Sequence, residues 1–492
     1  MSVLVFVHRW LGVALCLLFL VWFASGIGMM YWDFPEVTDR DRLARSPSLD
    51  ASAVVLSPVE AFATLHAAGP PDDARLGTFD GRPVYRFRVR GAERVVFADT
   101  GERRAEASAA LMRRIASRWS GEREPDAEVE PIDEVDQWTV QGPLRTLRPL
   151  WKYSWPDGRQ VYVAQSTGEV VQDTTRASRV GAYLGPIPHW LYFTPLRSRP
   201  PQWTAVVVWS SGIGTIAAIL GLAIGVWRYS PSKRYALGGA PTAIPYRGQK
   251  RWHMILGLIF GVGAATWAFS GMLSMDPFPA LADDADPRAR ERAIAAALGG
   301  PIDLAAFDRK PPRAALAKLA GVSIKELELT TFDTRPVYIA ALDRAPTLVV
   351  PVDAGPRAEF DRDRIAQIIA AAARPAAADV RAIDRYDAYY RDRRGARPLP
   401  VLRVALDDAD RTRYYVDPKT ARIVGSYSSR AWATRWLYHG LHSLDVPWLY
   451  AHRPAWDIVV LSFMLGGTAL SVTSLMLAWR VVTRRALPTR FP

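Results

Sequence analysis

Two apolar segments of the sequence open with a histidine, the side chain most often used to bind metal ions in proteins. "HRWLGVALCLLFLVWFASG" begins at His8, and "HMILGLIFGVGAATWAFSG" begins at His253. Each segment has Gly four positions after its histidine, Trp fourteen positions after it, and Ser-Gly at positions seventeen and eighteen. A neutral imidazole offers a nitrogen lone pair to a metal, so the repeated segment predicts coordination chemistry shared between two copies.

The glycines of these segments share a helix face with their histidine. In an α-helix, residues four apart lie about 40° apart, and residues eighteen apart return to the same angle after a rise of about 27 Å. Gly12 and Gly257 therefore lie one turn from a histidine, and Gly26 and Gly271 lie at the far end of the same face. A glycine there leaves room for a flat macrocycle against the backbone. Close packing between membrane helices uses the same small residues, so both interpretations stay open.

Four apolar stretches are long enough to cross a membrane, which takes about 20 residues. The chain is 49% hydrophobic, yet its mean hydropathy is −0.02, as expected when membrane spans are joined to water-soluble parts. Residues 228–252 contain six Lys and Arg residues and no acid. Because Lys and Arg collect in cytoplasmic loops, this segment predicts that both termini are cytoplasmic and that the two long segments are outside.

The long segments repeat each other. "GRPVY" at 81–85 returns as "TRPVY" at 334–338, and "VYVAQSTGEVV" at 161–171 returns as "YYVDPKTARIV" at 414–424, each after 253 positions. Short amphipathic stretches followed by alternating apolar and polar residues predict helices followed by antiparallel strands. The predicted fold is an α+β membrane protein with a two-fold internal repeat and four helix-plus-sheet modules, two in each long segment. Its predicted parts are 1–32 (first span), 33–202 (two modules), 203–227 (second span), 228–252 (basic loop), 253–275 (third span), 276–455 (two modules), 456–479 (fourth span) and 480–492 (tail).

A second histidine pair is expected at the outer ends of the spans. His189 lies fourteen residues before Trp203, and His442 lies fourteen residues before Trp456, so the two histidines correspond at the 253-residue offset. A gapped match of "HWLY" to "HGLH" selects His439 instead, and residues three apart share a helix face. The offset favours His442, and the choice between the two stays open.

Facing imidazoles suit the two axial positions of a b-type haem, and no C-x-x-C-H motif for covalent haem attachment occurs. His8 and His253 would hold one haem b near the cytoplasmic surface, because their spans run in the same direction. His189 with His442 would hold a second haem b near the outer surface. A haem iron with two axial histidines has no vacant position, so this arrangement predicts electron transfer rather than oxygen binding.

The sequence resembles a known family. The modules with "DTGE"-like turns look like the PepSY module, and together with "HRWLG", "W-x-x-S-G" and "RWLYHGLHSLDVPWLY" they resemble PepSY-associated membrane proteins. That group includes iron-regulated membrane proteins and ferric-siderophore reductases. The resemblance covers essentially the whole chain. It implies an inner-membrane protein of bacteria that passes electrons to ferric iron in a siderophore, or to another periplasmic acceptor.

Several other functions are disfavoured. The surplus positive charge lies mainly beside the spans, which indicates membrane lipid rather than nucleic acid as the partner. The glycines of "GLIFGVG" lie inside a span and not between a strand and a helix, so no nicotinamide or flavin fold is expected. The electron donor would then be a quinol or a separate reductase. Two rivals remain, namely a membrane-anchored docking protein without redox chemistry and a permease that uses the histidines.

Overall fold

Four long apolar helices form a bundle in the computed structural model, which describes residues 2–278, 287–342 and 347–486. Within these residues, four helices are long and apolar enough to cross a membrane. They are Ser2–Gly28, Pro200–Arg228, Gly248–Leu273 and Ala455–Ala486, called the first to the fourth spanning helix. The first packs mainly against the fourth, and the second packs mainly against the third.

The bundle has two different ends. Both long segments of the chain leave the bundle where the first and third helices end and where the second and fourth helices begin, and we call this the sheet end. The opposite end, with the start of the first helix and the last described residue of the fourth, is called the termini end. It also contains the loop between the second and third helices, with a hairpin of two three-residue strands.

The helix bounds differ slightly from the predicted spans. The first helix ends at Gly28 rather than near residue 32, because the chain crosses Leu184 there, and a Cβ atom at Gly28 would overlap the Leu184 carbonyl. The third helix begins at Gly248, five residues before the predicted start. The fourth helix continues through Ala486, and residues 487–492 of the predicted tail lie outside the described residues.

Three antiparallel sheets lie beyond the sheet end. One has six strands in the order β12-β11-β10-β1-β2-β3, and two have four strands each, β4-β5-β6-β7 and β13-β14-β15-β16, while β8 and β9 form the hairpin at the termini end. The strands are β1 Asp73–Phe79, β2 Arg82–Val89, β3 Ala92–Phe97, β4 Glu128–Ile132, β5 Leu150–Ser154, β6 Gln160–Ala164, β7 Val170–Thr174, β8 Tyr235–Leu237, β9 Ala240–Thr242, β10 Ile324–Phe332, β11 Arg335–Leu342, β12 Leu348–Pro351, β13 Ala377–Ile383, β14 Val401–Asp407, β15 Arg413–Asp417 and β16 Arg422–Tyr427.

The six-stranded sheet joins the two halves of the chain. Strand β1 pairs with β10, and Arg75 lies opposite Glu328, the residue 253 positions later. The sequence predicts separate sheets for the first and third modules, but the edges of these two modules pair, because backbone groups at a sheet edge need hydrogen-bond partners. Arg42 of the first half also donates to Glu326 of the second, at 2.9 Å.

Short helices cover these sheets. Ser57 caps the helix Pro58–Ala63, with Glu60 completing a capping box. The short α-helices are Asp39–Arg45, Pro58–Ala63, Ala109–Ser120, Arg176–Leu184, Pro186–Trp190, Thr194–Arg197, Pro287–Leu298, Pro312–Ala317, Arg362–Ala372 and Pro447–Ala451. The 3₁₀ helices are Ala51–Ala53, Glu124–Asp126, Gly142–Leu147, Leu304–Arg309 and Ser429–Ala431. One π-helix spans Ala433–Gly440.

Candidate functional site

The histidines that open the repeated segments face each other near the termini end. The ring centres of His8 and His253 are 6.3 Å apart, with 39° between the ring planes. Nδ1 of His8 lies 3.0 Å from the carbonyl oxygen of Ala217 in the second helix. Nδ1 of His253 lies 3.2 Å from Oγ1 of Thr473 in the fourth helix. Each imidazole is therefore held by a helix other than its own.

The hydrogen bond of His8 fixes which of its ring nitrogens carries the proton, and the hydroxyls of Thr473 and Ser474 beside His253 are compatible with a proton on its Nδ1. A carbonyl oxygen can only accept, so Nδ1–H of His8 donates to Ala217. The hydroxyl of Thr473 donates to the Leu470 carbonyl at 2.7 Å, so its oxygen is free to accept from Nδ1–H of His253. In both histidines, Nε2 is left with its lone pair. Metal-binding histidines commonly show this arrangement, in which the second ring nitrogen bonds a fixed acceptor.

A second histidine pair lies at the sheet end of the bundle. The ring centres of His189 and His442 are 6.0 Å apart, with 64° between the ring planes. His189 lies in the short helix Pro186–Trp190, and His442 follows the π-helix Ala433–Gly440. Such π-helical turns frequently mark functional sites. Both histidines lie on segments that dip back into the bundle, so the pair is enclosed by the spanning helices.

The Ser-Gly motif of each repeated segment contacts the outer histidine of its own half. Nδ1 of His189 lies 3.3 Å from Oγ of Ser25 and 3.1 Å from the Trp22 carbonyl. Nδ1 of His442 lies 3.0 Å from Oγ of Ser270. Both serine hydroxyls donate to backbone carbonyls of their own helix, so both serine oxygens accept from a histidine Nδ1–H. Nε2 again keeps its lone pair.

Burial keeps the outer histidines uncharged. It lowers the pKa of His189 to about 4, with the Trp22 carbonyl opposing the shift. It lowers the pKa of His442 to about 3, and the neighbouring His189 adds to the shift. Both rings are therefore neutral at pH 7, the form in which imidazole binds a metal.

His439 is not brought to the pair. Its ring lies against Tyr438, with 4.6 Å between the ring centres, and burial lowers the pKa of His439 as well. The structure places His442, and not His439, beside His189, in agreement with the ungapped 253-residue offset. Each turn of a π-helix is longer than a turn of an α-helix. His439 and His442 therefore point in different directions, whereas an α-helix would hold them on one face.

The four glycines divide into two kinds. A Cβ atom at Gly26 or at Gly271 would lie 3.5 Å from Cε1 of His189 or His442, an ordinary van der Waals contact, so both glycines lie against the outer rings. A Cβ at Gly12 would meet no atom within 4 Å, and at Gly257 only Leu470 at 3.8 Å. Open space thus lies one turn from each inner histidine, and close helix packing does not explain Gly12.

A cavity of about 110 Å³ lies at the outer pair. Its walls are mostly aromatic and small apolar side chains. The residues that line it are Phe19, Trp22, Phe23, His189, Trp190, Trp203, Val207, Ser211, Ala264, Trp267, Ala268, Gly271, Ser274, Met275, Tyr438, His442 and Met464.

The spacing of both pairs fits one metal ion between two imidazoles. Metal–nitrogen bonds of about 2 Å, with each ring centre about 1 Å beyond its nitrogen, set the ring centres about 6 Å apart. Among the described residues, no group of three or more His, Cys, Asp or Glu side chains is placed to hold a metal. Two protein ligands per site would match the two axial positions of an iron porphyrin.

Sequence reasoning missed the residues that orient the histidines. Ser25 and Ser270 appear in the repeated motif, and their repetition was the available signal, but their bonds to the outer pair were not predicted. Ala217 and Thr473 carry no comparable signal, because the backbone carbonyl of any residue, or any small hydroxyl, could serve at those positions.

The comparison with known families agrees with this architecture. The sequence model of the PepSY-associated TM region matches residues 5–341. The chain belongs to this family. With its four apolar helices, this member of the PepSY-associated TM family is a multi-pass membrane protein. The matched part contains His8, His189 and His253. No curated protein matches this family member closely enough to count as a relative.

Proposed function

We propose that the chain is a di-haem b electron-transfer protein of the bacterial inner membrane, which passes electrons to a periplasmic acceptor, ferric iron in a siderophore. The observation that carries the proposal is the geometry of the two histidine pairs. Their ring centres are 6.3 and 6.0 Å apart, and Nδ1 of every ring bonds an acceptor, so each Nε2 is available to iron. Bound haem would supply a one-electron carrier at each pair.

The two pairs lie toward opposite ends of the bundle. The carbonyl of Trp22 accepts a hydrogen bond from His189, so Trp22 marks the level of the outer pair on the first helix. His8 lies fourteen residues before Trp22 on this helix, which corresponds to about 21 Å. Phe19 lies between them on the same helix, and its ring stacks on that of Phe23, with ring centres 6.2 Å apart. These side chains exclude water from the middle of the bundle. Without them, the charged electron carrier would exchange protons with solvent there.

The direction of transfer follows from the charge of the termini end. The basic segment 228–252 favours the cytoplasm for this end, and we therefore infer that the sheet end and its cavity face the periplasm. A quinol that loses two electrons and two protons would supply two ferric ions with one electron each. A separate reductase could be the donor instead. Ferrous iron has less charge and is softer than ferric iron, so the oxygen ligands of a siderophore hold it less tightly.

Haem content is the direct test. We expect two haem b per chain in protein purified from haem-replete cells, and one in His253→Ala or His442→Ala. His439→Ala is the matched control, because His439 lies three residues from His442 but outside the pair, and it should keep both haems. A colourless wild-type protein would instead support a docking protein without redox chemistry.

The acceptor needs its own test. Protein reduced with dithionite, freed of excess reductant and mixed with a ferric siderophore should be oxidised in a single turnover, with ferrous iron appearing in proportion. Oxidation no faster than in buffer would remove ferric siderophore as the acceptor while leaving the haem assignment intact.

A further inference from the structure

The backbone turn after each outer histidine is strained in the same way in both halves. Leu191 and Leu444 lie two residues after His189 and His442, and their φ angles are +54° and +47°. This left-handed conformation costs free energy in any residue with a Cβ atom, and leucine gains no local hydrogen bond from its side chain in return. In the first half the turn also closes the helix Pro186–Trp190, with the Leu191 N–H donating to the Ile187 carbonyl, and contacts from outside the turn add to this in both halves.

A tryptophan holds each turn. Nε1–H of Trp203 donates to the carbonyl of Trp190 at 2.8 Å, and Trp190 is the residue between His189 and Leu191. Nε1–H of Trp456 donates at 3.0 Å to the carbonyl of Ser443, which occupies the same position after His442. The two donors and the two acceptors are each 253 residues apart.

Each indole is itself fixed by a cation. The Arg197 guanidinium lies 4.6 Å from the ring centre of Trp203, and the Arg453 guanidinium lies 4.5 Å from that of Trp456. Cation–π contacts of this kind hold the plane of the ring. The indole N–H is therefore directed at the turn and is not free to rotate toward solvent.

We propose that Trp203 and Trp456 are positioning residues that present the outer histidines to their shared site. The ordinary role of tryptophan at the start of a spanning helix is to anchor the helix at the membrane surface, with its N–H toward headgroups or water. Here both N–H groups are used within the chain, and Trp456 is only 3% exposed. The spectroscopic readout of this proposal rests on the proposed haem function, whereas its backbone readout does not.

The test replaces the N–H and keeps an aromatic ring. Trp203→Phe and Trp456→Phe remove the hydrogen bonds. Trp209→Phe and Trp479→Phe are matched controls on the same two helices, because both tryptophans are 70% exposed. Loss of one hydrogen bond of typical strength should speed release of the outer haem to a haem-scavenging apoprotein by about tenfold. The electron paramagnetic resonance signal of the outer haem, which reports the angle between the imidazole planes, should shift only in the first two variants.

Hydrogen–deuterium exchange supplies a second measurement that needs no haem. Peptides covering residues 186–192 and 439–446 should exchange faster in Trp203→Phe and Trp456→Phe, respectively, but not in the controls. Leu444→Gly removes the strain, so it should return the exchange rate of Trp456→Phe toward that of the wild type.

The outcomes separate the two proposals. If the wild type binds two haems but the Phe variants match the controls in both measurements, the tryptophans are anchors and the positioning role is wrong. If the wild type binds no haem, the function proposed above fails, and the exchange rates alone decide whether the tryptophans hold the turns.

Discussion

Replacing Ser270 by Ala tests whether the Ser-Gly motif serves the outer histidine. The hydroxyl of Ser270 accepts from Nδ1–H of His442 at 3.0 Å in a buried part of the bundle. Without it, the ring must turn toward the nearby carbonyl of Trp267 or leave its N–H unbonded. A lost buried hydrogen bond of this kind costs about 1–2 kcal/mol, which corresponds to roughly 5- to 30-fold weaker haem binding. Losses of 10–100-fold are usual for such outer partners of metal-bound histidines.

The assay is a haem titration of the reconstituted protein, with the two sites separated by their spectra. Ser274→Ala is the control, because Ser274 lies one turn further along the same helix, also lines the cavity, and donates only to the carbonyl of Gly271. The inner site should be unchanged in both variants. Wild-type affinity and midpoint potential at the outer site of Ser270→Ala would refute the role of the motif.

Three further outcomes are expected. Gly12→Ala should weaken haem binding at the inner pair in a pigment count, since its Cβ would enter the open space proposed for the macrocycle, whereas Gly26→Leu should lose the outer haem, since even a Cβ there lies 2.8 Å from the sulfur of Met464. Glu328→Lys should lower the free energy of unfolding by about 1–3 kcal/mol in denaturant titrations, because it replaces the ion pair with Arg422 by like charges and sets a lysine opposite Arg75 of the first half. The haem-free protein should lose thermal stability as pH falls from about 6.5 to 4. In this pH range histidine binds a proton in the unfolded chain, whereas buried His189 and His442 do not. A melting temperature that does not change with pH would contradict the neutral rings.

Much of the bundle could be predicted because membrane helices obey simple rules of length and polarity. The apolar stretches placed all four helices to within a few residues at most ends. The exceptions have local causes, such as the crossing at Leu184 that ends the first helix at Gly28. Helix geometry and the 253-residue offset also placed His8 beside His253 and His189 beside His442.

Other features depend on contacts between segments far apart in sequence. Nothing in β1 or β10 alone shows that Arg75 will lie opposite Glu328, because either strand could have remained at the edge of a separate sheet. The π-helix before His442 and the left-handed Leu191 and Leu444 are likewise set by tertiary contacts, against local preference. The haem assignment and the acceptor stay predictions until the pigment is measured.

The pairing of β1 with β10 also bears on how the chain is made. A ribosome adds about 5–20 residues per second, so β1 waits roughly 13–50 s for a partner that is synthesised 253 residues later. During that interval the edge of β1 is exposed, and a bare strand edge invites pairing with other chains. His8 and His189 likewise have no paired histidine until His253 and His442 are synthesised. Biogenesis of this protein therefore favours shielding of the first half until the second is complete, and under the proposed function cofactor insertion would follow that step.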